Sequence, residues 1–125
     1  MAFLRLSALT GDESLRNHAH DILRLLARVV PNAPSAFGNA LAAALLLHVG
    51  TTEVVIPGTV PEFVSVYREE WRPHGVLAWG DPIDSPLWAG RNKGAAYVCR
   101  DYVCSLPARD AHEMRERLVT NENGA

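Results

Sequence analysis

The chain has 125 residues, 48% of them hydrophobic and 21% charged, the length and composition of one globular domain able to bury a core without covalent staples. Twelve Lys and Arg against fourteen Asp and Glu leave a formal charge of −2, so neither nucleic acid nor an anionic membrane surface is an expected partner. The longest apolar run, in ALAAALLLHV (Ala40 to Val49), is too short to span a bilayer, and the N-terminus lacks the basic segment, apolar stretch and cleavage site of a secretory signal, which makes cytoplasm the expected compartment.

In chain order, FLRLSAL presents Phe3, Leu4, Leu6 and Leu9 ahead of Thr10 and Gly11 and reads as the last turns of a helix stopped by glycine. Thr10 and Glu13 have capping-box spacing. Behind them Leu15, Ala19, Ile22, Leu23, Leu26, Val29 and Val30 share one helical face, which predicts a helix over Asp12 to Val30. Pro31 and Pro34 bracket a short connection, and Pro34 and Ser35 suit a new helix start. Phe37 to Val49 is apolar nearly all round and is expected to be buried on more than one side. Residues 1–50 thus read as an antiparallel helical hairpin.

After Gly50 the texture changes. TEVVIPG is a short β-branched run ending in Pro57 and Gly58, and EFVSVYREEW is a helix beginning near Pro61. GVLAWG and AAYVC read as two further buried strands, separated by the loop DPIDSPLWAGRNKG. Asp110 to Val119 closes residues 51–120 as a helix with Asp110 at its N-cap and Ala111, Met114 and Leu118 facing inward. Residues 121–125 read as a polar tail. The expected class is α/β: the helical hairpin packed with a small, mostly parallel three-stranded sheet flanked by helices, all in one compact unit.

Both cysteines lie in AAYVCRDYVC. Five residues of extended chain at about 3.3 Å each would hold the Cα atoms of Cys99 and Cys104 roughly 16 Å apart, whereas a disulfide needs about 7 Å or less. A bridge therefore requires a turn through RDYV, which Arg100 and Asp101 are able to make. The gap is not the two-residue spacing of thioredoxin-type motifs, and a single pair without a nearby histidine is a weak zinc signal. Buried, reduced, structural thiols are the expectation, with a reversible disulfide as the alternative.

No metal site is expected from the histidines. His18 and His20 point about 200° apart on a helix, and His48 and His74 read as hydrogen-bonded structural residues. The strand-to-helix loop VVIPGTVPEF has Gly58 but not the several glycines of a phosphate cradle, so no nucleotide cofactor is expected. The long loop offers Trp79, Asp81, Asp84, Trp88 and Arg91, a set suited to gripping a polar ligand or sugar, although a proline-rich connection anchored by tryptophans is more often structural. No residue earns a catalytic role from spacing alone.

Taken together, LRLSALTGDESLRNHAHDILRLLA, TEVVIPG, LAWGD, PLWAGR and above all AYVCRDYVCSLPARD resemble the C-terminal end of the thioredoxin-domain-containing family related to the spermatogenesis-associated thioredoxin-like protein. The resemblance implies an architecture of a thioredoxin-like domain, an α/α toroid similar to sugar epimerases and glycosidases, and a small α/β end. Only the final toroid helices and the α/β end have counterparts here. Cys99 and Cys104 match the family's closing motif. The expected role is accordingly a non-catalytic structural or interaction module, a fragment-like C-terminal part; the alternative is a share in a sugar-processing or thiol-redox enzyme whose active site needs further domains. The uncovered apolar helix faces lead to the expectation of a homo-oligomer formed through the N-terminal helices.

Overall fold

A computed structural model describes residues 1–123. The first helix, α1 (Ala2–Thr10), ends where Gly11 takes φ 79° and donates its N–H to the Ser7 carbonyl. Helix α2 (Glu13–Leu26) starts on Asp12, whose carboxylate accepts from the Ser14 N–H at 2.9 Å. Asp12, rather than Thr10, is therefore the cap, and hydrogen bonding holds its carboxyl below the usual range. Two short 3₁₀ turns at Val30–Asn32 and Pro34–Phe37 carry the chain to α3 (Gly38–Val49). The expected Asp12–Val30 helix stops early, at Leu26, and the chain tightens into that first turn, which contains Pro31.

The four strands are β1 (Thr52–Pro57), β2 (Gly75–Gly80), β3 (Tyr97–Arg100) and β4 (Val103–Cys104), in the order β2-β1-β3-β4. Helix α4 (Pro61–Arg68) supplies the crossover that makes β1 and β2 parallel. The other two pairings, β1 with β3 and β3 with β4, are antiparallel. The sheet is thus mixed α/β in character but four-stranded and mostly antiparallel, not the mostly parallel three-stranded sheet expected. Pro57 is in register with Gly80, and Val55 with Tyr97, so the loop from β2 to β3 stays at one end of the sheet. A parallel third strand would have required a crossover along the sheet's length. The missed strand, β4, has two residues, too few to show a period.

One face of the sheet packs Val54, Ile56 and Val98 against Phe63 and Val66 of α4 and against Met114 and Leu118 of α5 (Ala111–Asn123). Asp110 caps α5 by accepting from the Glu113 N–H, while Glu113 accepts from the Arg109 N–H, both at 2.9 Å, a reciprocal capping pair. Helix α5 runs into the expected polar tail, and Asn121 accepts from Thr52 Oγ1 at 2.9 Å through its side chain and from Arg100 at 3.2 Å through its carbonyl. Residues 124 and 125 of that tail lie outside the described residues.

The opposite face packs Val55, Ala78, Tyr97 and Cys99 against Leu87 and Trp88. A third, smaller cluster of Leu4, Ala19, Ala43 and Leu46 joins the three N-terminal helices. Long-range hydrogen bonds fasten α1 to the rest: Arg5 to the Pro73 carbonyl at 3.1 Å, Ser85 Oγ to the Leu9 carbonyl at 2.7 Å, and the Tyr102 hydroxyl to the Ser7 carbonyl at 2.9 Å. Helix α3 departs from expectation. Only Ala43 and Leu46 are buried on it, while Leu41 and Leu45 remain about half exposed at 44% and 50%.

Candidate functional sites

Two features stand out: a hairpin that holds both cysteines against a buried carboxyl, and an uncovered apolar surface on the N-terminal helices.

Strands β3 and β4 are joined by Asp101 and Tyr102, at φ 49° and 64°. Positive φ at both central residues is the signature of a type I′ turn, whose twist matches that of the strands it joins. Left-handed backbone costs about 1–2 kcal/mol for a residue with a side chain, and Tyr102 is anchored by contacts that offset it. Its N–H donates to Glu53 Oε2 at 3.1 Å and its hydroxyl reaches Ser7. The turn sets Cys99 opposite Cys104, with Cα atoms 3.8 Å apart, and the two form a disulfide. The expectation of two reduced thiols is thereby corrected. The turn that a bridge required is present, centred one residue later than Arg100 and Asp101.

Glu53 lies in register with Cys99 on the neighbouring strand and is 2% exposed. Burial raises its carboxyl to about 7, and the Asp101 charge adds to the rise, while the Tyr102 N–H and Arg100 oppose it. Its side chain borders a cavity of about 310 Å³ between the hairpin and α1–α2, which Ser7, Glu13, Arg16, Asp101 and Tyr102 also line. Burial likewise pushes the Tyr102 phenol up.

The five loop residues singled out from sequence do not converge. Trp88 is buried beneath the sheet, Trp79 is half exposed, and Asp81 and Asp84 are exposed. Arg91 turns instead to the hairpin. One guanidinium nitrogen lies 2.8 Å from Cys104 Sγ and its carbon sits 5.3 Å above the Tyr97 ring. Sequence reasoning missed Glu53 and Tyr102. Glu53 had a signal, being the one charged residue in the strand TEVVIP; Tyr102 had none, because its role depends on a turn between strands not yet placed.

The histidines stay dispersed: His18 Nδ1 is 2.6 Å from the Ser14 carbonyl, and His20 lies 4.0 Å from Asp21. Among the described residues no group of three or more His, Cys, Asp or Glu is placed to hold a metal, and no helix is long and apolar enough to cross a membrane.

The second feature is the helical surface. Ile22, Leu25 and Val29 recur at helical spacing on and just beyond α2, exposed by 45%, 79% and 45%. On α3, Leu41 and Leu45 form a second stripe, flanked by exposed Ala44 and His48. Phe3 and Leu6 of α1 are partly exposed as well, Phe3 resting 6.0 Å from the His18 ring. No protein-family model, curated protein or solved structure matches the chain.

Proposed function

We propose that the chain is an interaction module that pairs with a second copy of itself through α3, with the exposed stripe of α2 at the rim. One observation carries the reading: α3 contains no Asp, Glu, Lys or Arg from Gly38 to Val49, yet leaves Leu41, Ala44 and Leu45 exposed. A charged partner surface would find nothing there to pair with. An equally uncharged helix with small residues fits it, and α3 of a second protomer is such a helix. Gly38, Ala42 and Ala44, all exposed beside that stripe, permit close approach of two backbones, and a two-fold axis makes the stripe complementary to itself. Burying that apolar area contributes about 25 cal/mol per Å², set against the loss of rotational and translational freedom.

The resemblance to the end of an α/α toroid supports the same reading, because toroid helices pack on further helices on both flanks. The test uses light scattering after size exclusion. Leu45→Glu and Leu41→Glu should shift the mass toward 13.7 kDa with helicity retained, while Val119→Glu, an exposed apolar position on α5, should not. An identical mass for all of these variants and the unmodified chain would remove the α3 interface.

A further inference from the structure

Glu53, Cys99 and Cys104 form a row across one face of the sheet, because Glu53 is paired with Cys99 and Cys99 with Cys104. Directly opposed side chains on antiparallel strands have their Cβ atoms about 4.5–5.5 Å apart. A guanidinium closes the row at the far end, with Arg91 2.8 Å from Cys104 Sγ. The same guanidinium nitrogen reaches the Tyr102 carbonyl at 3.5 Å, and the buried Nε of Arg91 has no hydrogen-bond partner among the described residues.

The two sulfurs are unequal. Cys99 is wholly buried, while Cys104 is partly exposed on a strand at the edge of the sheet. Ser105 N donates to the Val98 carbonyl at 2.9 Å, so by the alternation of an antiparallel ladder the N–H and C=O of Cys104 point away from β3. Exposed Val103 and Leu106 flank it at 77% and 76%. An open edge with apolar neighbours is the arrangement that takes up an extended peptide as an added strand.

We propose that Cys99 and Cys104 form a thiol–disulfide exchange site for a disulfide carried on an extended peptide segment, with Cys104 as entering nucleophile, Cys99 as resolving thiol, Arg91 as counter-ion to the Cys104 thiolate and Glu53 as proton carrier for Cys99.

In the reduced form Arg91 stabilises the Cys104 thiolate, the reactive state of a cysteine. That thiolate attacks one sulfur of the substrate disulfide. A bond forms from Cys104 to that sulfur, the substrate S–S bond breaks, and the second substrate sulfur leaves as a thiolate. Glu53, ionised at that moment, takes the Cys99 proton, and the Cys99 thiolate attacks Cys104 Sγ. The Cys99–Cys104 bond forms, the mixed disulfide breaks, and the first substrate sulfur leaves and receives the proton from Glu53. The second substrate thiolate takes its proton from water. Two electrons pass from the protein pair to the substrate, leaving the disulfide seen here. A dithiol runs the same steps in reverse to restore the reduced pair.

The groups that face Glu53 are Asp101 and Tyr102 of the hairpin, Arg100 of β3, and Glu13 and Arg16 across the cavity on α2. They set the pH at which the second step proceeds.

The experiment reduces the whole chain with a dithiol, removes it, and mixes the protein with a short peptide whose single cysteine is capped by thionitrobenzoate. Release of the chromophore reports the first step, and mass spectrometry reports the mixed disulfide. The unmodified chain should return to the internal disulfide with no lasting adduct. Cys99→Ser should trap the peptide on Cys104, and Cys104→Ser should react at least tenfold more slowly. Arg91→Gln should slow the first step about tenfold at neutral pH and move its pH midpoint upward. Glu53→Gln should slow resolution at least tenfold more than it slows the first step, a division that a purely structural role would not produce. Glutathione capped by the same thionitrobenzoate group, which equalises the leaving thiol, should react at least tenfold more slowly than the peptide. Trapping on Cys99, a reaction no faster than that of an unstructured cysteine peptide, or equal slowing of both steps in Glu53→Gln would each overturn the assignment; equal rates with glutathione would overturn the peptide as substrate. If a variant fails to fold, alkylation of the reduced unmodified chain across pH still decides. Cys104 should label with a midpoint below the ordinary thiol value of about 8.5, and a midpoint at or above it contradicts the role of Arg91.

Discussion

Glu53 and Cys99 face each other across adjacent antiparallel strands, a buried carboxyl set opposite one half of a disulfide. The same carboxyl accepts the N–H of Tyr102, so one side chain on β1 ties the central strand to the turn that closes the cysteine pair.

That placement makes stability depend on pH. Glu53 titrates at about 7 when folded and near the ordinary carboxylate value when unfolded, so between those values the folded state holds the extra proton. Stability from this group is fully present below the ordinary Glu range and is lost as pH rises through about 7. The expected loss between about pH 4 and pH 8 is roughly 3 kcal/mol, at about 1.4 kcal/mol per pK unit. Asp12 and Glu69, both held below their usual values, act in the opposite sense and at lower pH. Urea denaturation across this window should show the decline, and Glu53→Gln should flatten it. Equal slopes for the two chains would place the Glu53 carboxyl in water.

Gly11 should not tolerate a side chain. Its φ of 79° is left-handed, and an added Cβ would lie 2.6 Å and 2.7 Å from two ring carbons of Pro86. Gly11→Ala should cost at least about 1–2 kcal/mol from the backbone alone, with more from displacing the proline that packs beneath α1. Gly38→Ala is the control. Its backbone is helical, and the space around it within one chain is open, so in the dissociated protomer the change should be neutral or stabilising by up to about 1 kcal/mol. Chemical denaturation of both reports the difference.

Much of this architecture is legible in the sequence where local chemistry decides it. The Pro61 start of α4, the Asp110 cap of α5 with Met114 and Leu118 beneath it, and the bounds of GVLAWG all coincide with the structure. What escapes a linear reading is pairing. Nothing within AAYVC states which strand it lies beside or in which direction, and β4 exists only because Asp101 and Tyr102 accept left-handed backbone. The disulfide follows from that turn, and so does the turning of Arg91 away from the loop residues it was grouped with. The apolarity of α3 predicts burial, yet composition does not distinguish a covered face from an uncovered one.

The hydroxyl of Tyr102 joins the hairpin to α1 through the Ser7 carbonyl. Tyr102→Phe keeps the ring and removes the donor, leaving a carbonyl on a buried residue without this bond. The expected destabilisation is about 1 kcal/mol, and amide exchange should quicken in α1 more than in α5. Uniform exchange rates would show that the hairpin does not restrain the helix.

Core and surface leucines should separate sharply. Leu118 is wholly buried between α5 and the sheet, whereas Leu25 is 79% exposed. Leu118→Ala should cost about 2–5 kcal/mol, and Leu25→Ala less than about 0.5 kcal/mol in the dissociated protomer. Thermal melts of dilute samples test this, and a large loss at Leu25 would mean that it is covered within one chain.

The interaction module stands or falls on its mass in solution. Sedimentation equilibrium of the unmodified chain, from the low micromolar to the hundreds of micromolar, measures it without labels or variants. The expected result is an average mass that climbs with concentration toward twice 13.7 kDa. A mass that stays at 13.7 kDa over the whole range would contradict self-pairing through α3.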